Sequence, residues 1–309
     1  MEEKIEKKKS KTSVGGQAVI EGVMMRGKDG IATAVRLEDG SIEVQKEKSE
    51  SITKKHKFLG LPIIRGFVSL IESLVIGIKS LNYSASLFET EEEESKFDKW
   101  FENTFKEKGN DILIGFSLVV GLAFSVFLFF IVPTFLANLI KNYITDSNIG
   151  LNIAEGIIRV FIFLLYVVLI GKMKDIQRVY MYHGAEHKSI ACYEAGEELT
   201  PENAKKYTRF HPRCGTNFLF LVMIISIIIF SLTGWESISQ RIISRILLLP
   251  IVSGITYEVI RFLGKSDGKI AKIIAKPGLM LQKLTTREPD LDMLEVAITS
   301  LKAAEGIED

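Results

Sequence analysis

The sequence predicts a mainly α-helical membrane protein with about four transmembrane helices, a small N-terminal β domain and an amphipathic helix in the plane of the membrane. Two observations lead to this fold class. The 309 residues are 47% hydrophobic, yet 25% are charged as in an ordinary soluble protein, so the apolar residues must be concentrated in separate segments. Near the N-terminus, apolar and polar residues alternate on either side of Asp39-Gly40, which indicates a β-hairpin.

Four apolar segments predict a four-helix membrane domain over residues 111–264. A helix needs about 20 residues to cross a bilayer. The second segment contains Glu155 and Arg159, whose spacing of four lets them pair on a helix. Such a pair fits either a structural contact or a transport site. The four segments are residues 112–140, about 153–171, 218–235 and about 242–263.

The distribution of lysine and arginine predicts the orientation of these helices. The connections after the first and third segments contain one basic residue each, whereas residues 172–216 contain eight and residues 264–309 contain seven. By the positive-inside rule, we expect both termini and the 172–216 loop to face the cytoplasm. Two cysteines are too few for a disulfide framework, which agrees with that reducing side.

The remaining segments predict smaller elements around the membrane domain. Residues 1–13 are a charged tail that we expect to be disordered, and residues 14–57 read as a small β domain. Residues 58–110 predict amphipathic helices, because three polar residues recur at a spacing of seven within 58–81. This stripe favours an in-plane or re-entrant helix over a spanning one. Residues 265–309 predict a cytoplasmic helical tail. The stripe consists of Arg65, Glu72 and Lys79.

The segment from His183 to His187 carries the most informative motif, H-x-x-E-H. Residues four apart share one face of a helix, so both imidazoles can bind one metal ion. Glu186 lies beside them and is the candidate catalytic base. This order is the inverted form of the metalloprotease motif.

A second cluster lies about 25 residues further along the chain. His211 and Cys214 present an imidazole and a thiol on a turn bounded by proline and glycine. Glu258, in the fourth apolar segment, is a candidate oxygen ligand because a carboxylate in an apolar helix is unfavourable unless it is paired. Zn²⁺ suits nitrogen and sulfur donors best, although other divalent transition metals also fit. Arg213 is a weaker candidate that could hold an anionic substrate group.

Two local predictions concern the 172–216 loop: a short helix after Thr200 and the role of Cys192. Thr200-Pro201 predicts a short helix that reaches about Tyr207, with threonine at the N-cap and proline at the first helical position. This helix would fold the second cluster back on the first. Cys192 is expected to be a small core residue rather than a ligand.

Several blocks of the chain resemble the YqhQ-type family of bacterial membrane proteins, a domain-of-unknown-function family. The resemblance runs from about Val14 to past Arg287. It implies a multi-pass protein of the bacterial plasma membrane and a metal-dependent enzyme, and it implies little about the substrate. The blocks are VGGQAVIEGVMMRG, YHGAEHKSIACYE, LTPENAKKYTRFHPRCGTNFLF and ITYEVIR.

Two functions of different classes fit these observations. In the first, His183, His187 and a third ligand from His211, Cys214 or Glu258 hold Zn²⁺ with one open position. The protein is then a hydrolase that acts at the cytoplasmic membrane face on a membrane peptide or a lipid-linked substrate, with Glu186 as base. In the second, it is a non-enzymatic assembly, scaffold or transport factor with a closed structural metal site or a polar cluster. The lipid bilayer is the expected partner, and a formal net charge of +1 makes nucleic acid an unexpected one.

Overall fold

The structure is a computed structural model that describes residues 14–48, 50–88, 109–144, 147–212, 214–234, 237–266 and 268–308. The chain divides into two compact units. The first unit comprises Met1–Leu87, Val167–Ile225 and Leu249–Asp309, and the second comprises Phe88–Tyr166 and Ser226–Leu248. Arg213, the predicted tail at residues 1–13 and the acidic and aromatic part of the predicted amphipathic region lie outside the described residues.

The described elements are mainly helical, with one sheet near the N-terminus. The strands are β1 (Gly15–Val19), β2 (Gly22–Arg26), β3 (Ile31–Arg36) and β4 (Ile42–Glu47). The helices are α1 (Ile52–Lys55), α2 (Ile64–Ser86), α3 (Gly109–Val126), α4 (Val132–Ile144), α5 (Asn148–Ile170), α6 (Lys174–Ala195), α7 (Pro201–Lys205), α8 (Gly215–Ser231), α9 (Ile238–Lys265), α10 (Lys269–Thr285) and α11 (Leu291–Glu305).

The sheet is an antiparallel meander in the order β1-β2-β3-β4. The predicted hairpin is confirmed, because β3 and β4 pair from Arg36↔Ile42 to Ile31↔Glu47. Gly40 has a φ of +85° in the connecting turn, a conformation that glycine adopts without steric cost. The alternating pattern on either side of Asp39-Gly40 therefore specifies the turn and the register together.

The core of the first unit lies between the sheet, α6 and α11. Buried apolar side chains from all three meet there, and the Ser300 hydroxyl of α11 donates to the Ala32 carbonyl of β3 at 2.9 Å. The sequence predicts residues 265–309 as a cytoplasmic helical tail, and within this segment α11 forms one side of the core. It does so because its apolar residues recur at helical spacing and must be buried. These residues are Met293, Leu294, Ala297, Ile298 and Leu301.

Helix α2 packs within the first unit through the polar stripe of the predicted amphipathic helix. Arg26 of β2 donates to Glu72 at 2.9 Å, and Arg65 pairs with Glu258 of α9. At Gly77, an added Cβ would lie 2.3 Å from Oε1 of Gln17 on β1. Two residues of the stripe thus contact other protein groups, and glycine allows the helix to approach the sheet closely.

Most of the predicted 172–216 loop is helical. The 22 residues of α6 carry the H-x-x-E-H motif, and the helix ends at Gly196, which has a φ of +69°. The predicted short helix is confirmed as α7, since the Thr200 hydroxyl accepts from the backbone N–H of Asn203 at 3.3 Å. The cap and the proline at the first position fix where this helix begins.

The apolar helices differ in number from the prediction of four spans. Among the described residues, three helices are long and apolar enough to cross a membrane: Gly115–Tyr143, Asn148–Ile170 and Ile238–Leu263. The helix from the third apolar segment, Gly215–Ser231, is shorter at 17 residues. It stops at Ser231, because Thr233 bonds back to the Phe230 carbonyl and a glycine follows.

The second unit contains a buried ionic network. Glu155 and Arg159 pair as their spacing predicts, at 2.9 Å, and Arg245 of α9 also binds the Glu155 carboxylate. Between α3 and α4, residues Phe127–Ile131 form a π-helical turn. The Phe129 carbonyl of this turn accepts from Nε of Arg159 at 2.9 Å. The wider turn thus provides a backbone acceptor for a buried guanidinium.

Candidate metal centre

Helix α6 places His183 and His187 on one face, as residues four apart must lie. The two ring centroids are 4.5 Å apart. The helix packs closely against the connection between α10 and α11, because a Cβ at Gly184 would lie 2.1 Å from the Arg287 carbonyl oxygen. Glycine at this position lets that connection approach the histidine face.

Cys214 completes a three-residue group with the two histidines. Its Sγ lies 3.1 Å from Nε2 of His183. One ligand atom from each of His183, His187 and Cys214 lies within 4.8 Å of the other two. His187 is buried and the other two residues are half-buried. The structure therefore brings together one residue of the second predicted cluster with both histidines of the first.

Backbone carbonyls fix the tautomers of both histidines. Nδ1 of His183 lies 2.9 Å from the Thr285 carbonyl, and Nδ1 of His187 lies 2.6 Å from the Arg209 carbonyl. A carbonyl oxygen only accepts hydrogen bonds, so in the neutral rings each Nδ1 carries the proton and each Nε2 keeps its lone pair. This is the usual arrangement around metal-binding histidines.

The electrostatics of His187 also fit a neutral metal ligand. Burial lowers the pKa of this imidazole, and the neutral ring is the form that binds metals. Its buried Nε2 makes no hydrogen bond of ordinary geometry among the described residues, and the group beside it is the Cys214 thiol. A cation between the two rings and the thiol would satisfy this lone pair, so the donors present fit Zn²⁺ or a similar transition metal.

His211 lies beside the three-residue group rather than in it. Its ring centroid is 5.7 Å from that of His187, and its Nε2 is 3.7 Å from a carboxylate oxygen of Glu194. The side-chain amide of Gln282 on α10 holds the His211 backbone, because it donates to the carbonyl at 2.8 Å and accepts from the N–H at 2.9 Å.

Glu258 is not brought to the group. Its carboxylate binds the guanidinium of Arg65 on α2 through two hydrogen bonds. The expectation that this carboxylate needs a partner in an apolar helix is met by an arginine rather than by a metal. Arg213, the candidate for substrate binding, lies outside the described residues.

Glu186 faces the sheet. A Cβ at Gly16 of β1 would lie 3.1 Å from the Glu186 carboxyl carbon. Burial raises the pKa of Glu186 to about 7, opposed by His183 and by a hydrogen bond from the Gly16 backbone. Its oxygens are not among the ligand atoms that meet within 4.8 Å. The carboxyl thus contacts β1 and is not one of the three donors.

Sequence reasoning missed three residues that hold the site. Glu194 follows His187 by seven positions, and this helical spacing was a usable signal. Gln282 gave no signal, since its contacts with His211 span 71 residues. Lys188 is buried, and its amine donates to the carbonyls of Lys205 and Tyr207 at 3.0 and 2.8 Å. It thereby fixes the connection that presents the Arg209 carbonyl.

These features define a class of protein: a mainly helical chain whose described part contains three apolar helices of membrane-spanning length and a candidate metal group beside a core of helices and an antiparallel sheet. The chain belongs to the family described as "Protein of unknown function (DUF1385)", which matches residues 61–306. It is 35% identical over 304 residues to "Uncharacterized protein YqhQ" of Bacillus subtilis (strain 168), an alignment that covers 95% of this chain and 92% of that protein. No solved structure matches. The predicted family is confirmed.

Proposed function

We propose that this protein is a metal-dependent hydrolase of the cell membrane, with Zn²⁺ held by His183, His187 and Cys214. The observation that carries the proposal is the pair of Nδ1 contacts to the Thr285 and Arg209 carbonyls. They direct two imidazole lone pairs toward the thiol. Two nitrogens and one sulfur leave one position of a tetrahedral ion for water, as in catalytic zinc sites.

Zinc with an open position supplies a hydrolytic nucleophile from water near neutral pH. In this proposal Glu186 is the proton acceptor, because a carboxyl whose pKa is about 7 suits general base catalysis at neutral pH. The side chain has to rotate from Gly16 toward the histidines for this role. The substrate is a membrane peptide or a lipid-linked molecule that is reached at the cytoplasmic membrane face.

The membrane location rests on the three long apolar helices, which support a multi-pass protein. Large apolar side chains are exposed along them, which suits acyl chains rather than water. The lysine and arginine distribution supports cytoplasmic termini and a cytoplasmic metal group. The exposed residues include Phe116, Val119, Leu122, Ile157, Phe161, Ile243 and Leu247.

The metal content of the purified full-length protein tests the proposal. We expect about one zinc per wild-type chain. Structural zinc sites bind with roughly 10–16 kcal/mol for four ligands, so the loss of one ligand should weaken binding about 100-fold or more. His187→Ala and Cys214→Ser should therefore lose zinc on dialysis. Cys192→Ser is the matched control, because this second cysteine is buried outside the group.

Glu186→Gln separates a base from a ligand. A base should lose activity while zinc content stays at the wild-type level, whereas a ligand should lose zinc too. X-ray absorption at the zinc edge should show two nitrogens, one sulfur and one further light atom. Wild-type protein without a transition metal, or zinc that persists in both ligand variants, would overturn the proposal.

A second candidate function is a non-enzymatic assembly, scaffold or transport factor with a polar cluster. One observation favours it: the Cys214 sulfur already contacts His183, the Thr216 N–H at 3.4 Å and the Thr216 hydroxyl at 3.3 Å. Such a cluster is held together without an ion. It predicts metal-free wild-type protein whose stability falls in His187→Ala, which the same preparations distinguish.

A further inference from the structure

Helix α10 has three distinct faces. Its buried residues include Ala271, Gly278 and Gln282, whose spacing of seven and four places them on one stripe that packs on the protein. Ile270, Ile273, Met280 and Leu284 form a second stripe at helical spacing, and each is exposed; Ile270 and Ile273 are 71% and 69% exposed. An apolar stripe that points away from its own core requires an explanation other than folding of the core.

The third face of α10 is basic. Its four lysines, which are exposed, recur at spacings of three, four and seven residues and so lie together on one side. The 17 residues of the helix contain no aspartate or glutamate. The lysine face lies beside the exposed apolar stripe. The lysines are Lys269, Lys272, Lys276 and Lys283.

The position of α10 in the chain places it next to a candidate membrane span. Ile238–Leu263 is long and apolar enough to cross a membrane, and α10 begins at Lys269. The few residues between them reach at most about 20 Å. The start of α10 is therefore held near the end of that apolar helix, at the depth where lipid headgroups lie if the helix spans.

We propose that α10 lies flat in the headgroup layer of an anionic leaflet. Its apolar stripe faces the acyl chains, and its lysines contact lipid phosphates. A basic helix with an exposed apolar face and no acidic residue matches such a surface in charge and in hydrophobicity. The inner face of the same helix supplies Gln282 to His211 and the Thr285 carbonyl to His183. Docking of α10 would thus fix the distance between these histidines and the headgroups, and it does not depend on whether a metal is bound.

Tryptophan quenching in nanodiscs tests the proposal with the full chain. Ile273→Trp is compared with Leu291→Trp, an exposed apolar position at the start of α11 that is flanked by Asp290 and Asp292. Both are read against the wild-type emission of the native tryptophans. The discs contain phosphatidylcholine and brominated phosphatidylglycerol in a 3:1 ratio. We expect bromolipid to quench the residue-273 emission at least about threefold more strongly than the residue-291 emission.

Charge reversal tests the part played by the lysines. Adding Lys272→Glu and Lys276→Glu to Ile273→Trp should reduce the quenching at least about twofold in these discs. Equal quenching at positions 273 and 291 would overturn the proposal. The proposal would also fail if residue 273 were protected from aqueous acrylamide but not quenched by bromolipid, because that result indicates a protein partner. Quenching that is insensitive to the charge reversals would overturn the role of anionic lipid. Zinc measured on the same samples shows separately whether the proposed function fails.

Discussion

Replacing Glu155 by glutamine tests whether the ionic network of the second unit holds its helices together. The Glu155 side chain is fully buried, and its oxygens accept from Thr134 at 2.9 Å, Arg159 at 2.9 Å and Arg245 at 2.8 Å. Arginine keeps its proton in proteins, so Glu155→Gln leaves three buried guanidinium groups, those of Arg159, Arg241 and Arg245, without this counter-charge. Breaking a buried pair in this way costs about 3–5 kcal/mol. The ratio of folded to unfolded protein should then fall by roughly two to three and a half orders of magnitude.

The free energy of unfolding can be measured in mixed micelles by titration with sodium dodecyl sulfate, followed by circular dichroism. Glu21→Gln is the matched control, because it makes the same change in a pair with Arg178 that lies outside the candidate spans and whose side chains are 23% and 53% exposed. A partly exposed pair contributes about 0–1 kcal/mol. If Glu155→Gln destabilises the protein no more than Glu21→Gln does, the network is not what holds these helices.

Two further predictions use the same unfolding measurement. A Cβ at Gly278 would lie 1.9 Å from Oδ1 of Asn217, so Gly278→Ala should lower the free energy of unfolding by about 1–3 kcal/mol. The control Gly115→Ala has open space around the added Cβ and should cost nothing, because alanine favours helix. Equal effects of the two substitutions would contradict the close packing of α10 on α8. Burial raises the pKa of Glu186 from 4.5 to about 7, so the folded state binds more protons than the unfolded state between these pH values. With chelator present, stability should therefore fall by up to about 3 kcal/mol as the pH rises from about 4.5 to above 7, and Glu186→Gln should remove this slope; a wild-type profile without the slope would show that the carboxyl is not desolvated.

Structural features that depend only on residues close together in the sequence were predictable. Asp39-Gly40 gives the β3–β4 turn because glycine accepts a positive φ, and Thr200-Pro201 gives the start of α7 because a hydroxyl and a ring constrain one helical turn. The packing of α11 was not predictable in this way. The hydrogen bond from Ser300 to Ala32 joins residues 268 positions apart, and a hydrophobic pattern shows that a helix face is buried without showing what covers it.

In the candidate site, too, features set by local spacing were predictable and features set by distant contacts were not. The spacing of His183 and His187 predicts their shared face, and Cys214 joins them as one of the donors that the sequence offers. For Glu258, the sequence predicts that the carboxylate needs a partner but not which one, since Arg65 lies 193 residues earlier. His211 has suitable chemistry, yet Gln282 holds its backbone so that the ring lies beside the group.

The two contacts that orient the histidines come from backbone carbonyls, and this determines which substitutions can disturb the geometry of the site. The side chains of Thr285 and Arg209 do not make these contacts, so their replacement leaves the carbonyl acceptors in place. The positions of the acceptors depend instead on the last turn of α10 and on the connection that follows α7. Gln282 anchors the first and Lys188 the second, each through hydrogen bonds from a buried residue. The geometry of the donor group is therefore set by residues that bind no ion themselves, which is why the H-x-x-E-H motif predicts the donors but not their tautomers.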